Sequence, residues 1–190
     1  MPPYTVQGAS GIAKTLFDGL SGRGFNTTSK TELLFDDNWS VPLKFLTPDY
    51  DIPLVPIHMN CVVPPVPSPQ RCYDFGKAVK EIIENDLPDG LRVAFMGTGG
   101  LSHSIGETTM GWIDEPFDHA CIDLFRNAPD EKIASELDRM LNETGNGGAE
   151  LRSWAIAHAA AGGNGFDLID YIPMPETLIG CGLAEWKIAA

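Results

Sequence analysis

The chain has 190 residues and carries 26 Asp and Glu against 13 Lys and Arg, a formal charge of −13 at pH 7. No stripe of basic residues occurs, which excludes the electrostatic footprint of a nucleic-acid binder and gives no purchase on an anionic membrane. At 43% apolar and 21% charged residues, the composition is that of a globular chain long enough to bury a core, and residues 1–190 read as a single domain.

Residues 8–20 place Ile12, Leu16 and Leu20 at four-residue steps, which predicts an amphipathic helix ending in the turn SGRG. Lys30–Phe35 reads as a short strand or helix edge. Asp36, Asp37 and Asn38 are expected to break it, before Ser40–Leu46 resumes an apolar segment in which Pro42 suits a helix start. The run IPLVPIHMNCVV (52–63) is apolar on both faces, as a buried parallel strand would be. After a Pro-rich loop, residues 72–85 predict a helix with Phe75, Val79, Ile82 and Ile83 turned to the core. LRVAFM (91–96) reads as a second buried strand, completing a strand–helix–strand unit.

Further helices are expected at 117–125, 131–141 and 149–161, and the tail segments DLIDYIPMP and TLIGCGLAEW read as extended pieces packing on the sheet. No apolar run is long enough to cross a bilayer, and the opening MPPYTVQGAS lacks the blocks of a signal peptide. Cys61, Cys72, Cys121 and Cys181 show no CxxC spacing. Reduced thiols and a cytoplasmic location are therefore expected.

Two residues stand out for chemistry. The turn Gly97-Thr98-Gly99-Gly100 is followed by Leu101-Ser102-His103. Such a turn either closes a strand tightly or cradles a phosphate through its amides, and a histidine after it stands where acid/base groups are found. Glu150 opens an apolar helix, where a carboxylate either complements the helix dipole or serves as a metal ligand. His58 reads as a core histidine, and neither His119 nor His158 has a partner at ligand spacing, so none of the three is assigned to a metal.

The segments GTGGLSHS (97–104), GGAELRSW around Glu150, PIHMNCVVPPVPSPQRCYDFGKAV (56–79) and YIPMPETLIGCG (171–182) together resemble the catalytic LigB-type subunits of class III extradiol ring-cleavage dioxygenases, a group that includes protocatechuate 4,5-dioxygenase β-subunits and 2,3-dihydroxyphenylpropionate dioxygenases. The similarity runs in order from about Val6 to Trp186. It implies an α/β fold in which a three-layer mixed or mostly parallel sheet is flanked by helices. It also implies a non-haem Fe(II) cofactor held by two histidines and a carboxylate, with a small catechol-like aromatic and dioxygen as substrates. By position, Glu150 matches the carboxylate ligand and His103 the acid/base histidine.

The resemblance also marks two departures. The family's two iron-binding histidines lie on segments that precede the start of this chain, so the chain reads as LigB-like but lacking the N-terminal part. The histidine of a family Asp-His-Gly triplet aligns with Asp37, and an aspartate ordinarily accepts a proton at neutral pH but does not donate one. Asp37 is thus carried as a third candidate for the catalytic machinery. The rival reading is a non-catalytic LigB-fold remnant or partner subunit, and a nucleotide-binding α/β protein is a third. Self-association or pairing with another subunit is expected under either LigB reading.

Overall fold

The structure is a computed structural model that describes residues 4–188. These residues form six α-helices and one two-stranded antiparallel sheet. They divide into two compact units, one comprising residues 4–58 with Glu81–Val93, the other Met59–Lys80 with residues 94–188. No helix among the described residues is long and apolar enough to cross a membrane.

In the first unit, α1 (Ser10–Gly22) forms as its periodicity requires, with Leu16 and Leu20 buried. Gly19 lies so close to Ile82 that a Cβ there would fall 2.8 Å from the isoleucine Cδ1. Helix α2 (Asp37–Leu46) departs from expectation, because Asp36 and Asp37 start the helix rather than break what precedes it. Asp36 takes the N-cap position, and the Asp37 carboxylate in the first turn complements the helix dipole. Pro42 therefore sits inside the helix, where it removes one backbone donor. Lys30–Phe35 adopts no regular structure.

The two segments expected as buried strands are not strands here. Of residues 52–63 only Leu54 is paired, in a single parallel bridge with Gly8, and Ile52, Val62 and Val63 are exposed. Pro53 and Pro56 lack the N–H a ladder needs. Asn60 then turns the chain, its side chain accepting from the Val62 and Val63 amides and donating to the carbonyls of Val63 and Pro65. His58, expected in the core, is exposed on this unpaired segment. Residues 91–96 fare likewise, with Leu91, Val93 and Met96 exposed and no backbone hydrogen bond to Arg92–Thr98 among the described residues. A strand requires a neighbour for its N–H and C=O groups. The strand–helix–strand unit is thus reduced to its helix, α3 (Pro69–Asn85).

The second unit holds the main core. Asp114 caps α4 (Glu115–Asn127) by accepting from Phe117 N at 3.2 Å, with acidic residues in its first turn and Arg126 in its last. Its apolar face, Phe117, Cys121, Ile122, Leu124 and Phe125, packs with Ile133, Leu137 and Met140 of α5 (Asp130–Met140). Each fully buried Leu or Ile contributes roughly 1.5–3 kcal/mol of transfer free energy.

The helix expected from 149 is two pieces, a 3-10 turn at Asn146–Leu151 running into α6 (Arg152–Ala160). The tail folds as a hairpin of β1 (Phe166–Met174) and β2 (Ile179–Trp186), in register from Phe166–Trp186 to Met174–Ile179 with an irregularity between Leu168 and Asp170. Phe125, Trp154, Phe166 and Trp186 form an aromatic cluster with ring centroids 5.4 to 6.5 Å apart, which fastens the hairpin to α4 and α6.

Candidate active site

The Gly-rich turn and the residues after it are held by chain segments far away in sequence. Gly99 adopts a φ of +138°, in the region glycine favours, and its carbonyl accepts from the Trp154 indole at 3.1 Å. Gly100 N donates to Glu150 Oε2 at 2.9 Å. His103 forms an antiparallel bridge with Ile179 at the start of β2, and its carbonyl accepts from Gly147 N at 3.1 Å. Both backbone groups of Ile105 are engaged by the Asn146 side-chain amide, at 3.0 and 2.9 Å.

His103 is buried, with 7% exposure. Its Nδ1 lies 3.0 Å from the Leu101 carbonyl, which can only accept. That bond places the neutral ring's proton on Nδ1 and leaves the lone pair on Nε2. Two glycines shape the space around the ring. A Cβ at Gly100 would lie 2.6 Å from His103 Cε1, and one at Gly147 would lie 2.2 Å from Nε2.

Glu150 is half-buried within the 3-10 turn rather than at the start of α6. One carboxylate oxygen is fixed by the Gly100 amide. A carboxylate accepts on both oxygens, so Glu150 is chemically suited to a cation or a further donor. Two residues on, the buried Arg152 guanidinium donates to the carbonyls of Pro67 at 2.8 Å, Ala149 at 3.0 Å and Cys61 at 3.4 Å, stapling the Pro-rich loop to the Glu150 turn.

His103 and Glu150 thus converge on Gly100 within one compact unit. Asp37 belongs to the other unit, exposed in the first turn of α2. His119 is exposed, its ring edge-on to Tyr171. His158 is buried with Nδ1 accepting from Trp186 Nε1 at 2.8 Å, while its Nε2 has no hydrogen-bond partner. Burial holds its pKa down at about 4, so the ring is neutral. Among the described residues no three His, Cys, Asp or Glu side chains cluster in a way that would hold a metal ion. Glu150 is a fitting single ligand, and the described residues do not by themselves build a two-histidine, one-carboxylate iron site.

Several contributors escaped the sequence reading. Asn60 and Asn146 carry no chemistry of their own, and nothing in their context marks them as loop clamps. Asp118 did leave a signal. It shares the face of α4 that Cys121, Ile122 and Phe125 define at helical spacing, and a carboxylate on an apolar face demands partners.

Residues 2–177 match the family model of the catalytic LigB subunit of aromatic ring-opening dioxygenase. The chain belongs to this family. Among curated relatives, a gallate dioxygenase of Pseudomonas putida is 26% identical over 167 residues, covering 86% of this chain and 48% of the relative. A 2,3-dihydroxyphenylpropionate/2,3-dihydroxicinnamic acid 1,2-dioxygenase of Comamonas testosteroni is 36% identical over 104 residues, 53% of this chain and 31% of the relative. A second enzyme of that name from Pseudomonas putida is 27% identical over 133 residues, 68% of this chain and 41% of the relative. The matches span about half or less of each relative's length.

Proposed function

We propose that this chain acts in extradiol ring cleavage, within a LigB-type dioxygenase that opens a catechol-type aromatic with dioxygen. The observation that carries the reading is the meeting of His103 and Glu150 on either side of Gly100, inside the GTGGLSH segment through which the family resemblance runs. His103 holds its Nδ1 proton against the Leu101 carbonyl, so Nε2 is the atom that takes a proton from a substrate hydroxyl and returns it later. Glu150 offers one carboxylate to Fe(II), the family's cofactor. Asp37 is a proposed proton acceptor in the same reaction.

We also propose that residues 52–63 and 91–96 take their places in a three-layer, mixed or mostly parallel sheet of a single LigB-like domain in the cytoplasm. The β-branched composition of 52–63, its one bridge at Leu54 and the unpaired backbone of Arg92–Met96 support this. Association with a further copy or subunit would supply strand partners in the same way.

The test is oxygen uptake by the chain with Fe(II) and either gallate or 2,3-dihydroxyphenylpropionate, with anaerobic binding of the aromatic measured in parallel. His103→Ala is expected to reduce turnover at least about 100-fold while leaving aromatic binding within a few-fold, as for a group acting mainly in the transition state. The second reading, a non-catalytic LigB-fold chain, is favoured by the ligand count, since Glu150 stands as a single candidate ligand. Failure to bind Fe(II) anaerobically, together with absent oxygen uptake, would establish it for this chain.

A further inference from the structure

We propose that Asp118 is a positioning residue for His103, acting through Ser102 and together with Tyr171; the inference rests on the reading of His103 as the acid/base group. Asp118 is fully buried on α4. One carboxylate oxygen accepts from Ser102 N at 2.7 Å, and the other accepts from Ser102 Oγ at 2.8 Å and from the Tyr171 phenol at 2.8 Å. The groups that act on it are Tyr171, Ser102 and Asp114, none of them a cation.

A buried carboxylate without a counter-ion is costly unless its oxygens are saturated by donors. Here all the donors come from two residues, Ser102 on the strip that carries His103 and Tyr171 on β1. Ser102 has no freedom left. Its hydroxyl also accepts from Asp114 N at 2.8 Å, and its carbonyl accepts from Gly180 N at 2.9 Å. Gly180 is itself required by the carboxylate, because a Cβ there would lie 2.0 Å from Asp118 Oδ2. The residue immediately before His103 is therefore tied directly to α4 and β2, and to β1 through the Asp118 carboxylate.

The consequence falls on the imidazole. The Nδ1–H bond to Leu101 spans the residue that Asp118 grips, so the Leu101 carbonyl and the His103 ring keep their relative setting only while Ser102 is fixed. A loosened Ser102 lets the ring exchange tautomers and carry Nε2 away from its place beside Gly147. An apolar side chain at 118 would fill the volume, but it would leave the Ser102 amide and both hydroxyls without an acceptor.

The test is long-range proton–nitrogen NMR of the imidazoles in the folded chain, whose four histidines make assignment tractable, combined with steady-state kinetics. In the wild type, His103 is expected as the Nδ1–H tautomer. In Asp118→Asn, which keeps the size but turns one acceptor into a donor, a mixed tautomer population is expected, with kcat lowered about tenfold and KM within about twofold. Tyr171→Phe removes one bond only and should give the same change in smaller measure, and it serves where Asp118→Asn does not fold. A His103 signal identical to wild type in folded Asp118→Asn, or in Tyr171→Phe should the Asn variant not fold, overturns the proposal. A changed tautomer with unchanged turnover upholds the positioning role and removes His103 from the acid/base assignment.

Discussion

Gly147 lies against the His103 ring so closely that a Cβ on it would sit 2.2 Å from the ring's Nε2. The Gly147 amide also donates to the His103 carbonyl at 3.1 Å, so one residue fixes both the backbone and the side chain of the histidine. Substituting Gly147→Ala forces the ring out of its slot. Turnover should fall at least about 100-fold, with a stability loss of about 1–3 kcal/mol for overpacking, read from steady-state kinetics and urea unfolding. Wild-type turnover in the alanine variant would mean that Nε2 is not used at this position.

Glu150→Gln keeps an oxygen for the Gly100 amide and removes the charge. The expected outcome is a Tm within a few degrees of wild type and an anaerobic Fe(II) affinity reduced at least about tenfold, because carboxylate ligation is lost while the turn stays intact. An unchanged metal isotherm would exclude Glu150 as a ligand.

Burial holds His158 at a pKa of about 4, below the ordinary imidazole value. The unfolded chain therefore binds this proton at higher pH than the folded one, and the associated stability is complete above about pH 6.5 and drains away as pH falls toward 4. Asp118 and Asp130, whose carboxyls burial pushes upward, act in the opposite sense in the lower part of that window. The comparison that isolates His158 is with His158→Gln, whose side-chain oxygen can still accept from Trp186. The dependence of Tm on pH between 6.5 and 4 should be shallower in this variant than in the wild type.

The thiols report on the packing of the second unit. Burial pushes Cys72 up to about 12 and raises Cys121 and Cys61 as well, whereas Cys181 is exposed on β2. A thiol-specific reagent at pH 8 should label Cys181 first and Cys61 slowly. Cys72 and Cys121 should react only when the chain unfolds, as peptide mapping of a labelling time course would reveal.

The helices were legible because their apolar spacing is strong: Leu16 and Leu20 on α1, Val79 and Ile82 on α3, and Ile133 and Leu137 on α5 are buried as their periodicity demands. The segments around Leu54 and Val93 differ from expectation because an apolar run states a preference for burial in a sheet but not whether a neighbouring strand is there to accept it. Asp36, Asp37 and Asn38 read as a break after Lys30–Phe35 because Asp and Asn favour turns, yet the same residues favour the start of a helix. At the site, His103 and Glu150 stood out through motif and residue type. Asp118 and Gly147 did not, since their roles arise from contacts across long stretches of chain.

The strip from Gly100 to Ile105 is secured by Glu150, Asp118, Gly147, Asn146 and Gly180, and none of these is its neighbour in sequence. Contacts of that kind close large loops and repay their entropy only once the surrounding core exists. The arrangement around His103 therefore depends on the folded core as a whole, and no short segment of the chain contains it.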